Sequence, residues 1–194
     1  YGSSGAGGIY GTNGLNGGSY GVYVSPIATG PYGLTADATN LYWTQGDVGQ
    51  TLTKLAIASS TTTILAGSNW GSGNAVTTDA TYVYRSTSSP FRVDRVSIAG
   101  GSLQTPTLLA TETAGTYIPT ISALTATATD IYFIDNRPVG DNALAGLKTV
   151  PIGGGTVTQL ATGFTSTCRL VNDGANLYWA DTGSVKKMVI STQV

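Results

Sequence analysis

Charged residues make up 10% of this 194-residue chain, against about 25% in typical domains, and the net charge is −1 with no basic run. That balance argues against nucleic acid and against anionic membrane surfaces as partners. Histidine is absent, which removes Ser-His-Asp and Cys-His catalysis and His-ligated zinc, and no apolar stretch approaches the ~18 residues needed for membrane insertion.

Residues 1–30 form a Gly/Tyr-rich N-terminal segment: 11 of the 27 glycines and 5 of the 11 tyrosines fall within residues 1–33, and the first charge is Asp37. Ordering so much glycine costs backbone entropy, so one reading is a flexible leader. Against it, Tyr20, Val22, Tyr23 and Val24 punctuate the glycines at strand spacing, giving a strand at about 20–25. Such a strand closes a sheet of its own chain or is donated to a neighbour's edge, and a head-to-tail contact that does not close gives a filament. A further alignment sets Ile9-Tyr10 against the repeated phrase described below, making residues 9–25 a decayed extra blade. The chain begins at Tyr1, as expected of a product from which a signal has been removed or of a trimmed chain.

From residue 31 the chain repeats itself. In residues 31–66 an apolar strand ending Leu34-Thr35-Ala36-Asp37 meets a turn, and Leu41-Tyr42-Trp43 opens a second strand. Lys54-Leu55-Ala56-Ile57 places apolar residues two apart, as a half-buried third strand does, and Ile64-Leu65-Ala66 ends a fourth. Trp70, flanked by Asn69 and Asn74, follows on a polar loop. Two readings are open there: a sugar-binding platform, or a plug over the neighbouring blade.

Residues 74–110 repeat the series with Val76-Thr77-Thr78-Asp79, Val83-Tyr84-Arg85, Arg95-Val96-Ser97-Ile98 and Leu108-Leu109-Ala110. Residues 121–161 do so with Leu124-Thr125-Ala126-Thr127, Ile131-Tyr132-Phe133, Thr149-Val150-Pro151-Ile152 and Gln159-Leu160-Ala161. Asp135 to Asp141, with Asn136 and Asn142, is the one local carboxylate/amide cluster, a weak candidate for calcium. Residues 168–194 carry Leu170-Val171-Asn172-Asp173, Leu177-Tyr178-Trp179 and Lys187-Met188-Val189-Ile190, then stop before a fourth strand. Cys168, the single cysteine, forbids an internal disulfide and reads as a small buried hydrophobe or an intermolecular link.

The aligned tyrosines Tyr42, Tyr84, Tyr132 and Tyr178 are 42, 48 and 46 residues apart. That period fits an all-β propeller of about four four-stranded antiparallel blades, with the N-terminal segment supplying a closing or donated strand. The four tyrosines are then blade-packing residues that also hydrogen-bond through their hydroxyls. One Asp per blade (Asp37, Asp79, Asp173) closes a turn by accepting the backbone N–H two residues on, rather than joining a ring of metal ligands.

Leu177-Tyr178-Trp179-Ala180-Asp181 resembles the YWTD signature of low-density-lipoprotein-receptor-type propellers, and the fuller pattern is similar to repeats of secreted and surface-exposed bacterial propeller proteins. The likeness covers residues 31–194. It implies a propeller fold and says little about function. The family usually closes with six blades where this chain shows four.

Glu112 is the only glutamate, so a two-carboxylate enzyme would have to be built from aspartates, and the sialidase Asp-box pattern is absent. The sequence therefore predicts a non-catalytic protein without cofactors, secreted or on the cell surface and of bacterial type, serving as a structural or adhesive assembly module. Its expected partners are copies of itself or another surface protein; the alternative is a carbohydrate-binding propeller using Trp70. Arg85, Arg92, Arg95 and Arg137 are either a face for an anionic ligand or solvated and Asp-paired.

Overall fold

The computed structural model describes residues 7–12, 20–27, 31–45, 51–67, 75–88, 91–112, 119–137, 145–164, 167–181 and 183–190. All regular structure among them is β, apart from a single 3₁₀ residue at Ile190. A hairpin of β1 (Gly7–Thr12) and β2 (Tyr20–Ile27) precedes four antiparallel meanders. Blade I consists of β3 (Pro31–Ala36), β4 (Asn40–Gln45), β5 (Thr51–Ala56) and β6 (Thr61–Ala66). Blade II follows with β7 (Val76–Thr78), β8 (Tyr82–Ser88), β9 (Phe91–Ser97) and β10 (Thr107–Thr111). Blade III has β11 (Thr120–Ala126), β12 (Asp130–Asn136), β13 (Gly146–Pro151) and β14 (Thr158–Thr162). Blade IV has three strands, β15 (Thr167–Asn172), β16 (Asn176–Asp181) and β17 (Ser184–Val189).

The strand segments are rich in Thr, Val, Ile, Leu and Tyr, residues that fit a pleated surface, and side chains alternate between the two faces of each sheet. Register fixes which face each residue serves. In blade I, Leu41 pairs with Leu55 and Trp43 with Thr53, while Tyr42 pairs with Lys54 and Thr44 with Leu52. The Trp43 face leads toward the N-terminus and the Tyr42 face trails toward blade II.

The sheets then pack in series. Ile9 of the hairpin covers Trp43 and Leu55 on the leading face of blade I. Tyr42, Leu52 and Leu65 of blade I meet Val83 and Val96 of blade II. Tyr84 and Val93 of blade II meet Leu124, Ile131, Phe133 and Val150 of blade III. Tyr132, Ile134 and Leu147 of blade III meet Leu170, Leu177 and Trp179 of blade IV. The approach of β3 to β7 is close: a Cβ on Gly33 would stand 3.0 Å from Val76 Cγ1 and 3.1 Å from its backbone N, so a larger residue would make the neighbouring strand give by a few tenths of an ångström.

In one respect the sequence expectation is corrected. The strand predicted to close the ring or be donated pairs instead with the chain's own β1, through Ile9↔Val24, Tyr10↔Val22 and Thr12↔Tyr20. A neighbouring Gly/Tyr strand of matching character, only seven residues away in sequence, closes a shorter loop than the far end of the chain does. The hairpin packs on blade I through Ile9. Among the described residues no apolar cluster joins blade IV back to blade I or to the hairpin.

Candidate functional site

The repeated Asp and the repeated Tyr prove to be one device. Asp37 Oδ1 accepts hydrogen bonds from the N–H groups of Thr39 and Asn40, both at 2.7 Å, closing the turn between β3 and β4. Its Oδ2 accepts the Tyr42 hydroxyl at 2.6 Å. Blade II repeats this with Thr81 N, Tyr82 N and Tyr84 Oη on Asp79, and blade IV with Ala175 N, Asn176 N and Tyr178 Oη on Asp173. In blade III Thr127 stands in for Asp: its Oγ1 accepts Asp130 N at 3.1 Å but presents no carboxylate to Tyr132. In blades I and II the latch ties a turn to the aromatic at the next blade contact; in blade IV it ties the half-buried Tyr178.

Burial alone would raise the Asp37 carboxyl, yet the bonds from Tyr42, Thr39 and Asn40 outweigh it and hold the group well below the usual carboxylate range. Burial, and then the facing Asp, pushes the Tyr42 and Tyr84 hydroxyls well above theirs. For Tyr178 the hydrogen bond to Asp173 comes first and the direction is the same.

A second device sits on the leading faces of blades II and III, between adjacent blades. Arg85 Nε donates to Asp94 Oδ1 at 2.9 Å and Arg92 Nη2 lies 3.0 Å from Asp94 Oδ2, all three residues buried. In blade III, Lys148 Nζ bridges Glu112 Oε2 at 2.5 Å and Asp135 Oδ2 at 2.9 Å, and Arg137 Nη2 reaches the same two oxygens at 3.4 and 2.9 Å. Burial pushes the Glu112 carboxyl above its usual range, opposed by Lys148 and reinforced by Asp135. Two cations and two anions here offset one another's charge, a pairing that such buried groups require, although Asp135 Oδ1 accepts no hydrogen bond among the described residues. The cluster ties blade II to blade III.

The third feature is a surface. Leu52, Val93 and Leu147 hold one repeat position at the start of the third strand, and all three are fully buried by the following blade; Val185 holds the same position in blade IV and is 78% exposed. Tyr42, Tyr84 and Tyr132 are buried, whereas Tyr178 is half-buried. Val171 and Val189 are exposed on the same face, opposite Tyr178 and Asn176 respectively. A polar signature accompanies it. Lys54 Nζ of blade I donates to the Ile98 carbonyl of blade II at 2.9 Å, and Arg95 Nη1 of blade II to the Ile152 carbonyl of blade III at 2.6 Å. Lys187, at the same repeat position, stands over the Tyr178 ring at 5.8 Å.

At the other end of the stack, Leu34 pairs with Trp43 as Leu124 pairs with Phe133 and Leu170 with Trp179. Leu124 and Leu170 are buried by the preceding blade; Leu34 is 56% exposed, and Tyr32, at the bulge two residues before it, is also open.

The residues singled out from sequence fall as follows. Tyr42, Tyr84 and Tyr132 lie at blade contacts; Tyr178 does not, because no described sheet follows blade IV. Tyr20, Val22, Tyr23 and Val24 lie in β2. Trp70, Asn69, Asn74 and Asp141 lie outside the described residues. Asp135 is buried against Lys148 and Arg137. Among the described residues no group of three or more His, Cys, Asp or Glu side chains is placed to hold a metal ion. Arg85, Arg92 and Arg137 are paired with carboxylates, and Arg95 stacks on Tyr82 at 4.3 Å while bonding Ile152. Sequence reasoning missed the bridge from Glu112 to Lys148, which joins residues 36 apart in different blades with no motif to announce it.

No family model matches the chain, and no curated protein matches its sequence. Solved structures do resemble it. The computationally designed Ika4 protein superposes with a TM-score of 0.62 at 14% identity, over 93% of this chain and 96% of that one. The β-propeller domain of Cps50 (Swd1) from Myceliophteria thermophila gives 0.62 at 10% identity, over 91% of this chain and 62% of that one. The chain is a β-propeller. A chain of a nidogen/laminin complex gives 0.58 at 16% identity, over 89% and 81%. At these identities the propeller shares architecture with its neighbours and nothing finer.

Proposed function

We propose that this propeller, built of YWTD-like repeats, is a non-catalytic assembly module displayed outside the cell, which holds a protein partner by stacking it on the trailing face of blade IV. One observation carries the reading: the position buried without exception in blades I to III is 78% exposed at Val185. Together with Val171, Tyr178 and Val189 it forms an apolar face of the kind that marks an interaction site. The charge-poor, Thr/Ser/Gly-rich composition supports the extracellular setting.

Replacing Val185 with the photo-crosslinking residue p-benzoylphenylalanine in cells that make the protein tests this, with exposed Leu103 on blade II as the control position. Irradiation is expected to give a discrete protein adduct at 185 and none at 103, on a population digestible by protease added to intact cells. Equal or absent adducts at both positions would overturn the docking role. Protection from external protease would overturn the extracellular one.

A further inference from the structure

Resting on the docking reading above, we propose that the partner on blade IV is the leading end of a second copy of this chain, so that copies stack head to tail. Inside the molecule a trailing face meets a leading face three times between blades, each time with Tyr and an aliphatic residue of one blade against apolar residues of the next. The trailing end of the stack leaves the first of these faces open, and at the leading end the hairpin covers Trp43 and Leu55 but leaves Leu34 open. The trailing end presents Val171, Tyr178, Val185 and Val189. At the leading end Leu34 holds the position that Leu124 and Leu170 bury against the blade before them, with Tyr32 beside it.

The polar contacts agree. Lys54 and Arg95 each donate to a backbone carbonyl of the following blade. Lys187 holds the same repeat position, and β3 at the leading end carries no charged side chain to repel it. The hairpin covers Trp43 and Leu55 through Ile9, so the incoming blade meets the exposed part of β3 at Leu34. The contact is heterologous: each copy has one end of each kind, and repeated docking gives an open chain of molecules.

Sedimentation velocity over a hundredfold range of concentration reads the assembly. The wild-type chain is expected to grow in mass with concentration, while Val185→Asp and Leu34→Asp, each at an exposed position and each blocking one end, require at least about tenfold more protein to associate. An equimolar mixture of the two variants gives a 1:1 dimer and nothing longer, because one intact trailing end meets one intact leading end. Val185→Lys and Leu34→Ser repeat the test should either aspartate variant lose its β circular-dichroism signal. A wild-type chain that stays monomeric, variants that associate like wild type, or a mixture that forms no dimer would overturn the proposal. A monomeric chain that still crosslinks at 185 to a different protein overturns it too, while leaving the docking role standing.

Discussion

At the scale of single residues, the joining of Asp to Tyr five positions later explains why this phrase recurs while its surroundings drift. A hydrogen bond to a charged acceptor is worth about 1.5–3 kcal/mol, and Tyr84→Phe is expected to cost blade II an amount in that range, read as a lowered urea midpoint at unchanged slope. The same pairs set the pH response. Asp37 has a folded-state pKa below its unfolded value near 4, so its contribution is present above about pH 4 and fades as the solution is acidified further. Tyr42 and Tyr84 have folded values above about 10, so theirs is complete below that pH and fades as alkali is added. Melting temperature should therefore hold a plateau between those limits and fall on both sides, and a variant with both tyrosines changed to Phe should flatten the alkaline side.

Blade III offers the converse test. Thr127→Asp alone places a carboxylate beside Asp130, where blades I and IV have Asn40 and Asn176 donating to theirs. The double change Thr127→Asp with Asp130→Asn should raise stability by about 1 kcal/mol, and the single change should not, as thermal melts of the two would show. The sequence displayed the Asp and the Tyr plainly, but as a turn-former and a packing residue; that one hydroxyl reaches the other carboxylate depends on the course of the turn between them.

At the scale of strands and sheets, the meanders were readable because each third strand alternates apolar and polar positions and each turn carries its own chemistry. The pairing of β2 was not, since glycine-rich strands present few side chains to specify register. The ion cluster between blades II and III was hidden for a different reason: Asp135 and Lys148 share repeat positions with Asp181 and Lys186, which lie 3.7 Å apart in blade IV, but Glu112 and Arg137 lie beyond the ends of β10 and β12, outside the repeated strands. Removing one member leaves buried charge without a counter-ion, which costs about 3–5 kcal/mol. Lys148→Met should show that loss in chemical denaturation, and adding Glu112→Gln to it should recover part of the difference.

For the molecule as a whole, packing in series means that each sheet depends on its immediate neighbours. Deleting residues 1–30 removes Ile9 from Trp43 and Leu55, so tryptophan emission should shift to the red and the melting temperature should drop modestly, with the hydrophobic contacts of blades II to IV intact. An emission maximum unchanged by the deletion would show that the hairpin does not cover blade I in solution. The free face at Val185 has an evolutionary corollary. A pile of like units without a locking seam can gain or shed a unit at its end and leave the interior undisturbed, so duplication of one repeat would lengthen such a protein in a single viable step.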